Sequence, residues 1–195
     1  MTPKIGVLAL QGDVREHLVA LEATGAQAFE VKTLEQIKVA EGLVIPGGES
    51  TTIAKLASIF GLFAPLQNAI QNGLPVFGTC AGLILLANQI VDGSEKQQTF
   101  GGLDAVVRRN AFGNQTDSFE IALDFKGIIG PAVEAAFIRA PVIESVGPEV
   151  EILSRLPDER IVAVRQGHLL GISFHPEIMG EFRVHEYFVD EIVRA

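Results

Sequence analysis

The stretch Pro75-Val76-Phe77-Gly78-Thr79-Cys80-Ala81-Gly82 constrains the fold more than any other. An apolar run halts at a cysteine with a glycine two positions to either side, and Leu83-Ile84-Leu85-Leu86-Ala87 continues as a helix-prone run. Strand, sharp turn and helix in that order make the geometry of a nucleophile elbow, here with sulfur where serine is more familiar. The turn demands a close approach of strand and helix, which glycines permit and side chains would block. The first amides of the helix, Ala81 among them, then point toward Cys80, and their partial positive charge favours thiolate over thiol. A thiolate so placed attacks a carbonyl, and the same amides can hold the oxyanion that forms. The competing reading is that Cys80, the only cysteine, is a small buried hydrophobe.

The flanking sequence predicts what surrounds the elbow. Lys4-Ile5-Gly6-Val7-Leu8-Ala9-Leu10 reads as a buried strand, apolar without alternation. Gln11-Gly12-Asp13 turns the chain, with Asp13 as N-cap of a helix over about 14–24 that carries Val14, Leu18 and Leu21 on one face and stops at Gly25. A strand over about 28–32 completes a βαβ unit, which implies a parallel sheet covered by helices. A third buried strand, 41–45, runs into Pro46-Gly47-Gly48-Glu49-Ser50, and Thr51 or Thr52 opens a helix through Leu56, Ile59 and Phe60. Another helix over about 63–71 closes at Gly73, before the strand that leads to Cys80. Residues 92–102 read as a surface loop. Strands at 103–109, 118–123, 133–138, 142–146, 150–153, 161–165 and 169–174 then follow closely, the first two joined by the loop 110–116, and a last helix spans about 181–193. Such short spacings favour antiparallel additions to the parallel core. The expected fold is a single α/β domain over 1–195 with a mixed, mostly parallel sheet flanked by helices and extended by antiparallel strands. In open α/β sheets, sites gather at the carboxyl ends of strands, where the Pro46 loop and Cys80 both lie.

Composition narrows the classes of partner. A formal charge of −9 without a basic run argues against nucleic-acid binding, which needs cations to neutralise phosphates. No apolar stretch is long enough to cross a bilayer, and the first residues lead straight into a strand rather than a signal peptide. One cysteine precludes an internal disulfide and fits a reducing, cytoplasmic setting.

Two further stretches decide how Cys80 is read. Phe174-His175-Pro176-Glu177 ends the last strand, and the proline between histidine and glutamate biases the backbone so that imidazole and carboxylate stand side by side. If folding brings His175 to Cys80, it serves as base and then acid, with Glu177 orienting it and stabilising the imidazolium. The adjacent glycines of Pro46-Gly47-Gly48-Glu49-Ser50 aim amides at an anion, so Gly48 is a candidate oxyanion donor. A P-loop is excluded, because no Gly-Lys-Ser/Thr follows. His17 and His185, on predicted helices, and His168, after a turn, carry little weight as catalysts. Four scattered histidines with one cysteine do not make a metal site.

With these motifs in place, Gly78-Thr79-Cys80-Ala81-Gly82 and the distant His175-Pro176-Glu177 resemble the class I, triad-type glutamine amidotransferases, with their flavodoxin-like fold. Within them the chain is similar to the glutaminase subunits of pyridoxal 5′-phosphate synthases. That closer likeness rests on the run from Leu8 to His17, on Pro46-Gly47-Gly48-Glu49-Ser50-Thr51-Thr52, and on Arg109-Asn110-Ala111-Phe112-Gly113. Asp117-Ser118-Phe119-Glu120 and Phe137-Ile138-Arg139-Ala140-Pro141 extend it. The resemblance implies hydrolysis of L-glutamine to glutamate and ammonia through a thioester on Cys80, without a cofactor, and passage of ammonia to a separate synthase subunit. It implies glutamine contacts from Gly48, Glu49, Ser50, Arg109, Ile138 and Arg139, and motif position suggests that Gln11, Arg15, Glu16 and His17 meet the synthase. Two departures stand out: Asn114 where the family usually has arginine, and Ile178-Met179-Gly180-Glu181 where it usually carries leucine, threonine and aspartate. An amidotransferase subunit for another acceptor, a stand-alone γ-glutamyl hydrolase and a regulatory subunit without turnover are the alternative readings.

Overall fold

Short strands buried on both faces dictate the centre of this molecule. In the computed structural model, which describes residues 2–92, 97–109 and 118–195, every residue of β3 (Gly42–Ile45) and β4 (Val76–Thr79) is buried. So are all but the first residue of β1 (Lys4–Leu8) and all of β12 (Leu169–Ile172). Strands covered on both faces need helices on both faces, which is the α/β solution. With β2 (Gln27–Val31) these strands run parallel in the order β2-β1-β3-β4-β12. This is the flavodoxin-like order, in which the chain leaves β1 in opposite directions to β2 and β3.

Beyond β12 the sheet continues through β11 (Ile161–Gln166), β9 (Val142–Val146) and β6 (Leu103–Arg108), each antiparallel to its neighbour, to β5 (Ala87–Val91). There β5 pairs in parallel with β6, and β10 (Glu151–Arg155) joins β11 off this path. The hairpin of β7 (Ser118–Leu123) and β8 (Val133–Ile138) forms a separate two-stranded sheet.

Helices cover both faces. Apolar residues of α3 (Ser50–Ile59), α4 (Phe63–Gln71) and α5 (Ala81–Leu86), including Ile53, Leu66 and Leu85, share one core with Phe100. On the opposite face, α1 (Val14–Ala23) and α6 (Arg183–Phe188) contribute Leu21 and Phe188 to a second core around Phe77, Phe137 and Phe174. A π-helical turn, Val189–Val193, extends α6. No single helix among the described residues is long and apolar enough to cross a membrane.

The expected mixed sheet is present, with differences of local origin. α2 (Leu34–Val39) was unforeseen although Thr33 and Gln36 form a complete capping box at its start. β5 was also unforeseen, because Leu83-Ile84-Leu85-Leu86-Ala87 reads as one helix, whereas the chain turns extended at Ala87. Helix α3 starts at Ser50, one residue before Thr51, because the Glu49 carboxylate caps it. The predicted last helix begins at Arg183 rather than near 181. The 110–116 loop, with Asn110 to Gly113 and Asn114, and Asp117 lie outside the described residues.

Candidate active site

Cys80 sits at the end of the central strand β4 with φ 49° and ψ −99°, a left-handed φ that residues other than glycine seldom adopt. Its N–H donates to the Ile172 carbonyl at 2.8 Å, and its carbonyl accepts from Ile84 N–H at 3.2 Å, so strand and helix both hold the turn. The flanking glycines are sterically required. A Cβ on Gly78 would lie 2.6 Å from the Gly82 carbonyl carbon, and one on Gly82 would lie 2.1 Å from the Ile45 carbonyl oxygen. The elbow expected from the sequence is therefore built, with Cys80 and Ala81 buried within it.

His175 arrives from beyond β12, and its N–H donates to the Ala136 carbonyl of β8 at 2.8 Å. After Pro176, the short 3₁₀ turn Glu177–Met179 folds the glutamate back onto the imidazole, placing His175 Nδ1 2.7 Å from Glu177 Oε1. Asp13 Oδ2 stands 3.3 Å from the same nitrogen. Two carboxylates at Nδ1 leave Nε2 as the ring nitrogen that can face Cys80, which stands near enough to favour the charged imidazole. Burial works against an imidazolium here, but Asp13, Cys80 and Glu177 outweigh it and push the His175 pKa up to about 12. Burial raises the Glu177 pKa, and the His175 hydrogen bond opposes that rise. Asp13, His175 and Glu177 bring three ligand-type atoms within 4.8 Å of one another. Because the Nδ1 between the carboxylates serves as their shared donor, this is the pattern of a held imidazole rather than of a metal centre.

Asp13 is the residue whose work the sequence reading missed. Expected as the N-cap of α1, it makes no side-chain capping bond. Its N–H instead donates to the Gly47 carbonyl at 3.2 Å, tying the loop after β1 to the loop after β3. Gly47 itself lies against the imidazole, for a Cβ there would fall 2.2 Å from His175 Cε1. β1 and β3 are parallel neighbours, so their following loops share one edge of the sheet; that adjacency was the available signal.

Glu49 and its surroundings form a second cluster. Gln11 Oε1 accepts from Glu49 N–H at 2.7 Å, so this side chain, expected at a partner surface, braces the Gly48-Glu49 loop. The Glu49 carboxylate accepts from Thr52 N–H and Thr52 Oγ1, both at 2.7 Å, and from the backbone and hydroxyl of Thr51. Partial burial would raise its pKa, but these bonds hold it down at about 2. Arg109 Nη2 lies 3.2 Å from Glu49 Oε1, while Arg109 Nη1 donates to Gln97 Oε1 at 2.5 Å and Gln97 Nε2 donates to Ser50 Oγ at 2.8 Å. Gln97, in a stretch read only as a surface loop, thus links Ser50 to Arg109. Ile138 and Arg139 are exposed at the end of β8, beyond the Ala136–His175 bridge, and Arg139 has φ 47°.

Of the proposed partner-facing residues, Arg15 and Glu16 are exposed, but His17 is wholly buried. It lies on the core stripe of α1 with Ala20 and Leu21, which corrects its expected place at a surface.

A parallel sheet whose central strand ends in a cysteine elbow, with histidine and glutamate delivered beside it, is the architecture of the triad glutamine amidotransferases. The crystal structure of a glutamine amidotransferase superposes with a TM-score of 0.90 at 47% identity, over 98% of this chain and 99% of the other. Residues 7–194 match the SNO glutamine amidotransferase family, and the chain belongs to it. Among similar proteins are the pyridoxal 5′-phosphate synthase subunit PdxT of Streptomyces avermitilis, 58% identical over 100% of this chain and 96% of the relative. That of Leifsonia xyli subsp. xyli is 56% identical over 98% of this chain and 96% of the relative. PurLQS from Thermotoga maritima, at 19% identity and a TM-score of 0.65 over 98% of this chain and 99% of the other, shares the fold.

Proposed function

We propose that the whole chain works as one cytoplasmic glutaminase domain that hydrolyses L-glutamine to L-glutamate and ammonia and hands the ammonia to a pyridoxal 5′-phosphate synthase subunit. The observation that carries this reading is His175, flanked at Nδ1 by two carboxylates and standing beside a cysteine held in an elbow. Family membership and the PdxT relatives support the substrate and the partner.

The Cys80 thiolate attacks the side-chain amide carbon of glutamine, and the amides of Gly48 and Ala81 receive the oxyanion. The His175 imidazolium gives its Nε2 proton to the departing nitrogen, so the C–N bond breaks, ammonia leaves and a thioester remains. Water then attacks the thioester as neutral His175 takes its proton. The C–S bond breaks, glutamate leaves, and the thiolate–imidazolium pair is restored. Glu177 and Asp13 hold the imidazolium through both steps. Glu49, Ser50, Arg109, Ile138 and Arg139 bind the amino-acid end of glutamine, an arginine matching its carboxylate bidentately. Gln11, Arg15 and Glu16 lie at the edge that meets the synthase.

Glutamate release, measured with and without a synthase subunit and with Cys80→Ala as control, tests the reading. Turnover that depends on Cys80 and rises with the synthase is the expected result. Cys80-dependent turnover indifferent to the synthase would favour a stand-alone hydrolase. No turnover in a folded complex would favour a regulatory subunit.

A further inference from the structure

The glutaminase reading leaves two buried histidines without work. His17 and His185 are both fully buried, on α1 and α6, with Phe77 presenting ring contacts to each. His17 Nδ1 lies 2.9 Å from His185 Nε2. On its other side, His17 Nε2 lies 3.0 Å from Thr79 Oγ1, the residue before Cys80, and 3.5 Å from Glu177 Oε1. A line of polar contacts thus runs from His175 through Glu177 to His17 and His185.

Proton counting restricts what this line can be. Burial keeps both rings neutral, so each carries one N–H, and one of those protons occupies the bond between the rings. Suppose that proton belongs to His17 Nδ1. Then His17 Nε2 accepts from the Thr79 hydroxyl but leaves its lone-pair edge 3.5 Å from the Glu177 carboxylate, and His185 Nδ1–H becomes a buried donor without a partner. Suppose instead that it belongs to His185 Nε2. Then His17 carries its proton on Nε2, facing Thr79 and Glu177, and the group without a partner is only the bare His185 Nδ1. A lone pair facing an anion is repulsive and an orphaned buried N–H is the rarer defect, so the second arrangement wins. The other titratable group acting on the pair is His175, with Cys80 and Asp13 beyond it.

We propose that His17 and His185 form a tautomer-locked pair, both protonated on Nε2, in which His17 positions Glu177 from behind and His185 keeps His17 in the donor state. The inference rests on the glutaminase reading for the significance of Glu177. Glu177 Oε2 has no partner among the described residues, so Oε1 alone carries the contacts that orient the carboxylate. The His17 Nε2–H that donates to Thr79 Oγ1 at 3.0 Å also stands 3.5 Å from Oε1, so the ring turns a positive edge rather than a lone pair toward the carboxylate. This favours the ionised form against the effect of burial, and an ionised, oriented Glu177 favours the His175 imidazolium. His17 is therefore a positioning residue that acts through Glu177 and His175.

The test uses readouts that need no glutamine. Long-range ¹H–¹⁵N spectra of the full chain, with His17 and His185 assigned from the spectra of His17→Gln and His185→Gln, report which ring nitrogens are protonated. Both residues should be Nε2–H tautomers; His17 protonated on Nδ1 would overturn the proposal. Because Cys80 is the only cysteine, iodoacetamide alkylation reports its thiolate without ambiguity. In His17→Phe the alkylation rate at pH 6, relative to that at pH 10, should fall at least about twofold, because an imidazolium held less firmly by Glu177 supports the Cys80 nucleophile less. His17→Gln, which offers an N–H in the same direction, should recover most of the loss. A folded His17→Phe with the wild-type ratio would overturn the proposal. If His17→Phe does not fold, the wild-type tautomers decide alone. Absence of glutamine turnover would count against the glutaminase reading while leaving both readouts intact.

Discussion

Acid should weaken this fold through His185 in an amount the structure sets. In the folded chain burial depresses the His185 pKa to about 3, whereas an unfolded histidine titrates near ~6.5. Between those values the unfolded state binds a proton that the folded state refuses, so stability is full above ~6.5 and falls as pH is lowered. From pH 7 to pH 5 the titration covers about 1.5 units, at about 1.4 kcal/mol per unit, a loss of ~2 kcal/mol. His175 has the opposite sign: its pKa is raised to about 12, so its stabilisation is complete below the unfolded value and is lost only as pH rises. Glu177, with a raised pKa, favours the folded state slightly as pH falls, and His17 adds a loss of its own. His185→Gln removes the His185 titration alone while keeping an N–H for His17. Urea unfolding at pH 7, 6 and 5 should show the wild type losing ~2 kcal/mol more than the variant, or about 1 M of midpoint for a slope near 2 kcal/mol/M. Parallel pH profiles for the two proteins would refute the reasoning, because they would mean that His185 is protonated in the folded state or exposed to water.

Asp13→Asn removes one of two carboxylates that raise the His175 pKa, so the alkaline limb of kcat/KM for glutamine should move down by about one pH unit; an unmoved limb would show that Glu177 alone sets the imidazolium. Gln97→Ala cuts the link between Ser50 and Arg109. Steady-state kinetics of the synthase complex should show KM raised about five- to tenfold with kcat within about twofold, the mark of lost ground-state binding. Gly82→Ala places a Cβ 2.1 Å from the Ile45 carbonyl oxygen, a backbone atom that cannot swing aside. Thermal unfolding should register a loss of about 3 kcal/mol or more, and a change below about 0.5 kcal/mol would mean that elbow and neighbouring strand are not in contact.

The parallel centre of the fold was legible because its evidence is local. Strands such as Gly42–Ile45 and Val76–Thr79 are apolar but for the closing Thr79 and sit between helices of clear period, and the elbow declares itself through Gly78 and Gly82. The Glu177 carboxylate was legible for the same reason, since Pro176 confines the chain between it and His175. Short elements were not. Six residues of α2 rest on a capping box and one buried isoleucine, and β5 begins in a run whose residue types suit a helix as well as a strand. Contacts between distant residues were also beyond a linear reading. Asp13 follows a strand and precedes a helix, the place of an N-cap, and only the parallel pairing of β1 with β3 turns it toward His175 instead.

His17 shows the same limit in a sharper form. Read as a member of a motif, Arg15-Glu16-His17 is a polar run at a helix start and belongs on the surface. Read by helical period, Val14, His17, Leu18 and Leu21 lie at i, i+3, i+4 and i+7, so His17 falls on the stripe that faces the core. A polar-versus-apolar reading drops the histidine from that stripe, because imidazole counts as polar wherever it stands. Yet a neutral imidazole buried with partners on both nitrogens satisfies its polar groups while its ring packs against Phe77. Period therefore outranks side-chain class when the polar residue can be neutral. His185 follows the same period on α6, between Val184 and Phe188 on the buried side of a short helix, with a partner on Nε2 alone. Two helices that each carry one such residue can satisfy one ring with the other where they cross, and α1 and α6 bring the rings together directly behind Thr79 and Glu177.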